Sequence, residues 1–279
     1  MFGRGARDGL SVEDAAAGQT GPGALPNVIV IGAMKCGSTS LHRYLDAHPQ
    51  VAMSAGKELN FFYREGKWEE KGLDWYRSQF DPGAPVRGES SVNYTKSPQA
   101  AAVSAERMHQ VVPDAKLIYL VRHPIDRAVS HYLHTRAAGN EHRALSGALR
   151  DFDEPYVTRG LYYANVEPFL DQFPRDSLLV IPQEALLARR PEALRTVFSF
   201  LGIDSDVEAP EFSTLWETAA SKVEGAEEGE SPTVHEAAQL DPHLRESLIE
   251  YYRKDFKRIR RLVAHQFRAA WRLEKNQKS

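Results

Sequence analysis

Between Gly32 and Gly37 the chain sets a lysine inside a short loop, Gly32-Ala33-Met34-Lys35-Cys36-Gly37, and follows it at once with Ser38-Thr39-Ser40. Glycines at both ends allow a tight turn. The backbone N–H groups of such a turn, and of the helix it opens, converge on an anion, and the helix dipole adds a favourable field. The candidate contacts to that anion are Lys35, Cys36, Gly37, Ser38, Thr39 and Ser40. A second cationic group, Arg122, ends the apolar run Lys116-Leu117-Ile118-Tyr119-Leu120-Val121, and Ser130 follows two helical turns later. A guanidinium and a hydroxyl placed there suit a phosphate. Glu58, in Lys57-Glu58-Leu59-Asn60-Phe61-Phe62, is a carboxylate beside an aromatic pair, where burial would raise its pKa and make it a general base. Each reading has a plainer rival: a strand–helix turn with no ligand, a surface ion pair at Arg122, and a solvated Glu58 paired with Lys57.

The loop has the glycine spacing of the nucleotide-binding pattern G-x-x-x-x-G-K-[ST], but its lysine lies inside the turn and Ser38 takes the usual lysine place. A kinase or NTPase would also need an acidic partner for Mg²⁺, whereas the following core strand ends in Val-Arg-His. The ten histidines show no metal-ligand spacing, and no metal is expected. His123 reads as structural. Tyr162 and Tyr163 are either cofactor-pocket or core residues, and alkylation of Cys36 would block the loop.

The elements that must hold these groups read as an alternation. Strands are expected at 28–32, from Val51, from Val86, at 116–121 and at 177–182. Helices are expected over 38–46, 97–109, from Pro124 through Leu133, 162–172, 191–201 and, as one continuous helix, 243–268. That order predicts an α/β fold with a mostly parallel sheet covered by helices on both faces, in a single domain over 26–279. Residues 1–25, rich in Gly and Ala, read as a flexible leader, and the acidic stretch 223–241 as an exposed loop. The 279 residues carry a net charge of −3, yet Tyr251 to Ser279 holds ten Lys or Arg against two Asp or Glu. Apolar residues recur there at helical spacing, so the stretch reads as a docked amphipathic helix with a solvated basic face, and no nucleic-acid partner is expected. No apolar run reaches the roughly 18 residues of a membrane span. One cysteine and no apolar leader point to a reducing, cytoplasmic setting.

GAMKCGSTSLHRYLDAHPQV with KELNFF resembles the 5′-phosphosulfate loop of sulfotransferases that use 3′-phosphoadenosine 5′-phosphosulfate (PAPS). VRHPIDRAVSHY resembles that family's 3′-phosphate segment. The likeness runs on through GESSVNYTKSP and RGLYYANVEPFL over roughly 27–268, and is nearest to the heparan sulfate branch. It implies a P-loop-like fold, with PAPS as donor and the bisphosphate PAP as product. Lys35 would sit on the leaving phosphate–sulfate oxygen, Gly37, Ser38 and Thr39 on the 5′-phosphate, and Arg122 and Ser130 on the 3′-phosphate. Glu58 would be the base, and Ser221 and Lys222 would do part of the work of the family's 3′-phosphate loop. This chain has Asn60 where the branch often has histidine, and Glu89-Ser90-Ser91 where it has a lysine that meets polysaccharide. These departures point to a hydroxyl, or less readily an amine, on a small molecule, glycolipid or carbohydrate. A catalytically inactive nucleotide-binding module is the other alternative. The sequence leaves the oligomeric state open.

Overall fold

The computed structural model describes residues 23–63, 67–207 and 240–274. Five strands, β1 (Val28–Gly32), β2 (Val51–Met53), β3 (Val86–Ser90), β4 (Lys116–Val121) and β5 (Leu178–Pro182), form one sheet in the order β2-β3-β1-β4-β5. Every pairing is parallel. All five residues of β1 and the last five of β4 are buried. Successive strand residues point to opposite faces, so both faces of the central strands are covered, as an all-parallel sheet requires.

The helices are α1 (Ser38–Asp46), α2 (Gly72–Arg77), α3 (Pro98–Val111), α4 (Pro124–Ala137), α5 (Leu145–Leu149), α6 (Pro155–Thr158), α7 (Tyr162–Gln172), α8 (Gln183–Ala188), α9 (Arg190–Leu201), α10 (Pro242–Leu262) and α11 (His265–Arg268). A 3₁₀ turn, Val92–Thr95, follows β3. Local chemistry sets several boundaries. Ser97 Oγ accepts from the Ala100 N–H and Pro98 occupies the first turn, so α3 starts there. Asp241 caps α10 through the Leu244 N–H at 2.9 Å. Along α10, Leu244, Leu248, Tyr252, Phe256 and Ile259 form the buried stripe, and the basic residues lie off it.

The continuous helix expected over 243–268 is not formed. It stops at Leu262, because Val263 pairs with Val180 at the edge of β5 and the Ala264 N–H bonds to the Val180 carbonyl at 3.0 Å. Residues 1–22 and 208–239, and with them most of the expected leader and acidic loop, lie outside the described residues. Leu25 already packs on the core, and its carbonyl accepts from Arg87 Nε at 2.9 Å. Among the described residues no helix is long and apolar enough to cross a membrane.

β1 leaves the sheet abruptly. Its register against β4 shifts between Val30 and Gly32. The Ile31 carbonyl accepts from Thr95 Oγ1 at 2.9 Å, and the Ala33 N–H bonds to the Leu120 carbonyl at 2.8 Å. A Cβ on Gly32 would stand 2.0 Å from Thr95 Oγ1. Gly32→Ala must therefore push apart the 3₁₀ turn and β1, and is expected to cost about 1–3 kcal/mol, the range for overpacking a filled core. Urea unfolding of the two proteins measures it; an unchanged midpoint and slope would contradict that packing.

Candidate functional site

Beyond Gly32 the loop curls back across the carboxyl end of the sheet, where open α/β folds bind ligands. Lys35 adopts φ 67° and Gly37 φ 91°, both left-handed, and the chain then enters α1. No side chain caps α1, and its first turn carries no acidic residue. The opening N–H groups of Ser38, Thr39 and Ser40 are therefore left for an anion. Gln183, at the end of β5, closes one side: its Cγ lies 3.4 Å from where a Cβ on Gly37 would be.

Cys36 faces the other way. Its N–H bonds to the Ala33 carbonyl at 3.2 Å, and its fully buried thiol lies 3.5 Å from the Tyr162 hydroxyl. Burial pushes the thiol up to about 12. Its thiol and its N–H are thus both engaged within the protein. Tyr162 ties the Gly32–Gly37 loop to the end of β4, because its hydroxyl also accepts from the Arg122 N–H at 3.2 Å.

Arg122 leaves β4 half-buried, with Nη1 3.5 Å from the Lys35 carbonyl. Burial, and then the Arg122 charge, lower the pKa of Lys35. Two cations thus crowd the loop, and neither forms an ion pair with a carboxylate among the described residues. The nearby carboxylate, Glu184, accepts from the His123 N–H at 2.7 Å through Oε1, and its charge also acts on Arg122. Ser130 lies half-buried on α4, two turns beyond Arg122. His123 is structural as expected: its Nε2 bonds to the Leu273 carbonyl at 2.7 Å, and it is 3% exposed.

Across the sheet end, β2 runs into a loop in which Glu58 (φ 59°) and Asn60 (φ 54°) are left-handed. With Lys35 these are the non-glycine residues of positive φ among the described residues, and all three line this site. The Glu58 N–H bonds to the Ser90 carbonyl at 2.9 Å, and its Oε2 accepts from the Val92 N–H at 2.9 Å. Oε1 lies 3.6 Å from Lys57 Nζ. Burial raises the Glu58 pKa, while Lys57 and the Val92 N–H oppose the rise. Asn60 is a brace: its N–H donates to Ser91 Oγ at 3.0 Å and its side-chain amide to the Glu58 carbonyl at 2.9 Å.

Two residues take parts that sequence reasoning missed. Lys57 reaches back to α1, donating to Ser38 Oγ at 3.2 Å and Thr39 Oγ1 at 3.0 Å. Glu89 is fully buried beneath Glu58; its Oε1 accepts from the hydroxyls of Tyr76 (2.6 Å) and Tyr94 (2.8 Å), and its Oε2 from Ser91 (2.7 Å). Its place at the carboxyl end of a parallel strand is the signal that would have flagged it. Glu89, Ser90 and Ser91 are all buried. Ser221 and Lys222 lie outside the described residues. No cluster of potential metal ligands occurs among the described residues.

The family model described as Sulfotransferase domain matches residues 25–267. Mouse heparan sulfate glucosamine 3-O-sulfotransferase 3B1 is 32% identical over 187 residues, 64% of this chain and 46% of the mouse protein. The chain thus spans less than half of that relative's length. Human heparan sulfate glucosamine 3-O-sulfotransferase 6 is 28% identical over 263 residues, covering 89% of this chain and 75% of its own. A solved sulfotransferase from Alicyclobacillus acidocaldarius superposes with a TM-score of 0.67 at 28% identity, over 86% of this chain and 96% of that one. Mouse sulfotransferase SULT7A1, solved with PAP, shares the fold at a TM-score of 0.55 and 15% identity, over 88% of each chain.

Burial of Cys36 bears on the alkylation expected to block the loop. In the folded protein at neutral pH, iodoacetamide should leave Cys36 unmodified over hours while labelling it within minutes in urea, as read by intact mass. Rapid native labelling would show the thiol to be open.

Proposed function

The chain belongs to the sulfotransferase family, and on that premise we propose that it transfers a sulfuryl group from PAPS to a hydroxyl, or less readily an amine, releasing PAP. One observation carries the reading. Two cations, neither in an ion pair among the described residues, and an uncapped helix start lie at the same sheet end as a partly buried carboxylate. Such a site asks for a polyanion on one side and a proton-bearing nucleophile on the other.

PAPS supplies an activated sulfuryl group on its 5′-phosphate and a second anion in its 3′-phosphate. The N–H groups of Gly37, Ser38, Thr39 and Ser40 hold the first, and Lys35 neutralises charge on the oxygen that bears the leaving sulfuryl. Arg122 and Ser130 take the 3′-phosphate. Glu58 accepts the proton of the acceptor as that group attacks sulfur in line. Its carboxylate is aimed by one backbone N–H and one ammonium, so it is held in place before any acceptor arrives. The fixed charges of Lys35 and Arg122 serve where a kinase uses Mg²⁺, so transfer is expected to survive EDTA. The named relatives act on heparan sulfate, which supports a carbohydrate among the acceptor classes. The buried Glu89-Ser90-Ser91 stretch favours a small molecule or glycolipid over a matrix polysaccharide. The single cysteine, held as a buried thiol, supports a cytoplasmic setting.

Calorimetry tests the donor: PAP should bind clearly tighter than ATP or ADP, and equal or tighter ATP binding would revive the phosphoryl-transfer alternative. Initial rates test the chemistry. Glu58→Gln should lower turnover on the order of 10²–10⁴-fold without weakening PAP binding. Lys35→Ala should reduce both. Because Glu58 must be ionised to act and burial raises its pKa, the rate should fall as pH drops through a value above the ordinary carboxylate range. That acid limb should vanish in Glu58→Gln, and a variant with near wild-type rate would place the base elsewhere.

A further inference from the structure

Lys57 touches both halves of the site. Its ammonium gives two bonds to the hydroxyls of Ser38 and Thr39, the residues that open α1, and turns toward Glu58 Oε1 at 3.6 Å. The position is uncomfortable for a cation. It lies at the positive end of a helix, Arg43 adds like charge, and burial adds a desolvation cost that Glu58 offsets. Glu58 therefore has one fixed support, the Val92 N–H, and one on a flexible four-carbon stem.

We infer that Lys57 is a counter-ion shared between Glu58 and whatever anion fills the start of α1, so that donor occupancy draws the ammonium off Glu58 and leaves the carboxylate more basic. The identity of that anion rests on the sulfotransferase reading. The hydroxyls that now hold Lys57 belong to the residues whose N–H groups would receive the 5′-phosphate, so a bound phosphate lies within reach of the ammonium. With PAPS absent, Glu58 is paired and weakly basic; with PAPS present, it is ready to take a proton. By linkage the coupling is reciprocal, and the state of Glu58 feeds back on donor affinity. The other charged or titratable groups facing the pair are Arg43 and His42 on α1 and Glu89 at the end of β3. Burial and the Lys57 charge hold the His42 pKa below its ordinary value, and His42 is bonded to Ser90 Oγ at 3.0 Å. Glu89 is enclosed by three hydroxyls. Neither sits on a stem that could follow the phosphate.

The test is a carbon-13 titration of glutamate side-chain carboxyls in the full chain, with the Glu58 signal assigned by its loss in Glu58→Gln. In the wild type, saturating PAP should move the Glu58 midpoint up by about one pH unit, the lower end of the range for an opposite charge at this distance. In Lys57→Met, Glu58 should titrate higher already in the free protein, and PAP should move it by much less. Lys57→Arg should restore most of the wild-type response, and Lys57→Gln serves in place of the Met variant if that one melts early. A PAP-induced shift of equal size in Lys57→Met would assign the effect to direct repulsion and overturn the inference. So would a wild-type midpoint that PAP, once bound, fails to move. Absence of any PAP binding would overturn the sulfotransferase reading and this inference together.

Discussion

Thr95 Oγ1 occupies the space that a side chain at residue 32 would need, and that contact decides how the central strand ends. With the Ile31 carbonyl taken by Thr95 and the Ala33 N–H by Leu120, the backbone is steered out of the sheet without an orphaned polar group. The left-handed residues at Lys35 and Gly37 then reverse it into α1. The start of α1 faces the end of β4 only because β1 stops where it does. The cradle, the crowding of Lys35 by Arg122 and the reach of Lys57 all follow from a turn that a methyl group would spoil.

The acceptor side is organised around a different cost. A carboxylic group as deeply buried as Glu89 is tolerated when its oxygens are filled, and three hydroxyls fill them. Those hydroxyls come from α2, the 3₁₀ turn and the residue after β3. The network thus binds together the segments that carry Val92 and Ser91, which in turn hold Glu58 and Asn60. Phe61, stacked on Tyr76 with ring centroids 4.1 Å apart, completes the floor. Glu58 thus has one oxygen on this base and the other beside Lys57.

Much of this was legible in the sequence. The continuous apolar runs VIVIG and KLIYLV could only be buried parallel strands, and a lone Arg at the end of one falls where such sheets bind anions. Helices entered through Ser97-Pro98 and His123-Pro124 announced themselves by cap chemistry. What stayed hidden depends on contacts between residues far apart in the chain. Lys57 reads as the neighbour of Glu58 until the fold brings α1 beside it, and Cys36 reads as part of the loop until Tyr162, 126 residues on, is seen to cover it. The break at Val263 was invisible for the same reason, since helical periodicity says nothing of a sheet edge that captures the chain. Glu89 looked like a missing lysine, when its position at a strand end was the informative fact.

The bond from His123 to the Leu273 carbonyl spans 150 residues and bears on the order of synthesis. The turn out of β1 takes its partners from Thr95, Leu120 and Tyr162, all made well before Leu273. The turn that aims Arg122 is different, since the partner of its histidine is made 150 residues later. A chain stalled before Leu273 emerges would have the partners of the Gly32–Gly37 loop but lack one partner of the Arg122 turn. The two loops that meet at this sheet end are thus completed at different points along the chain.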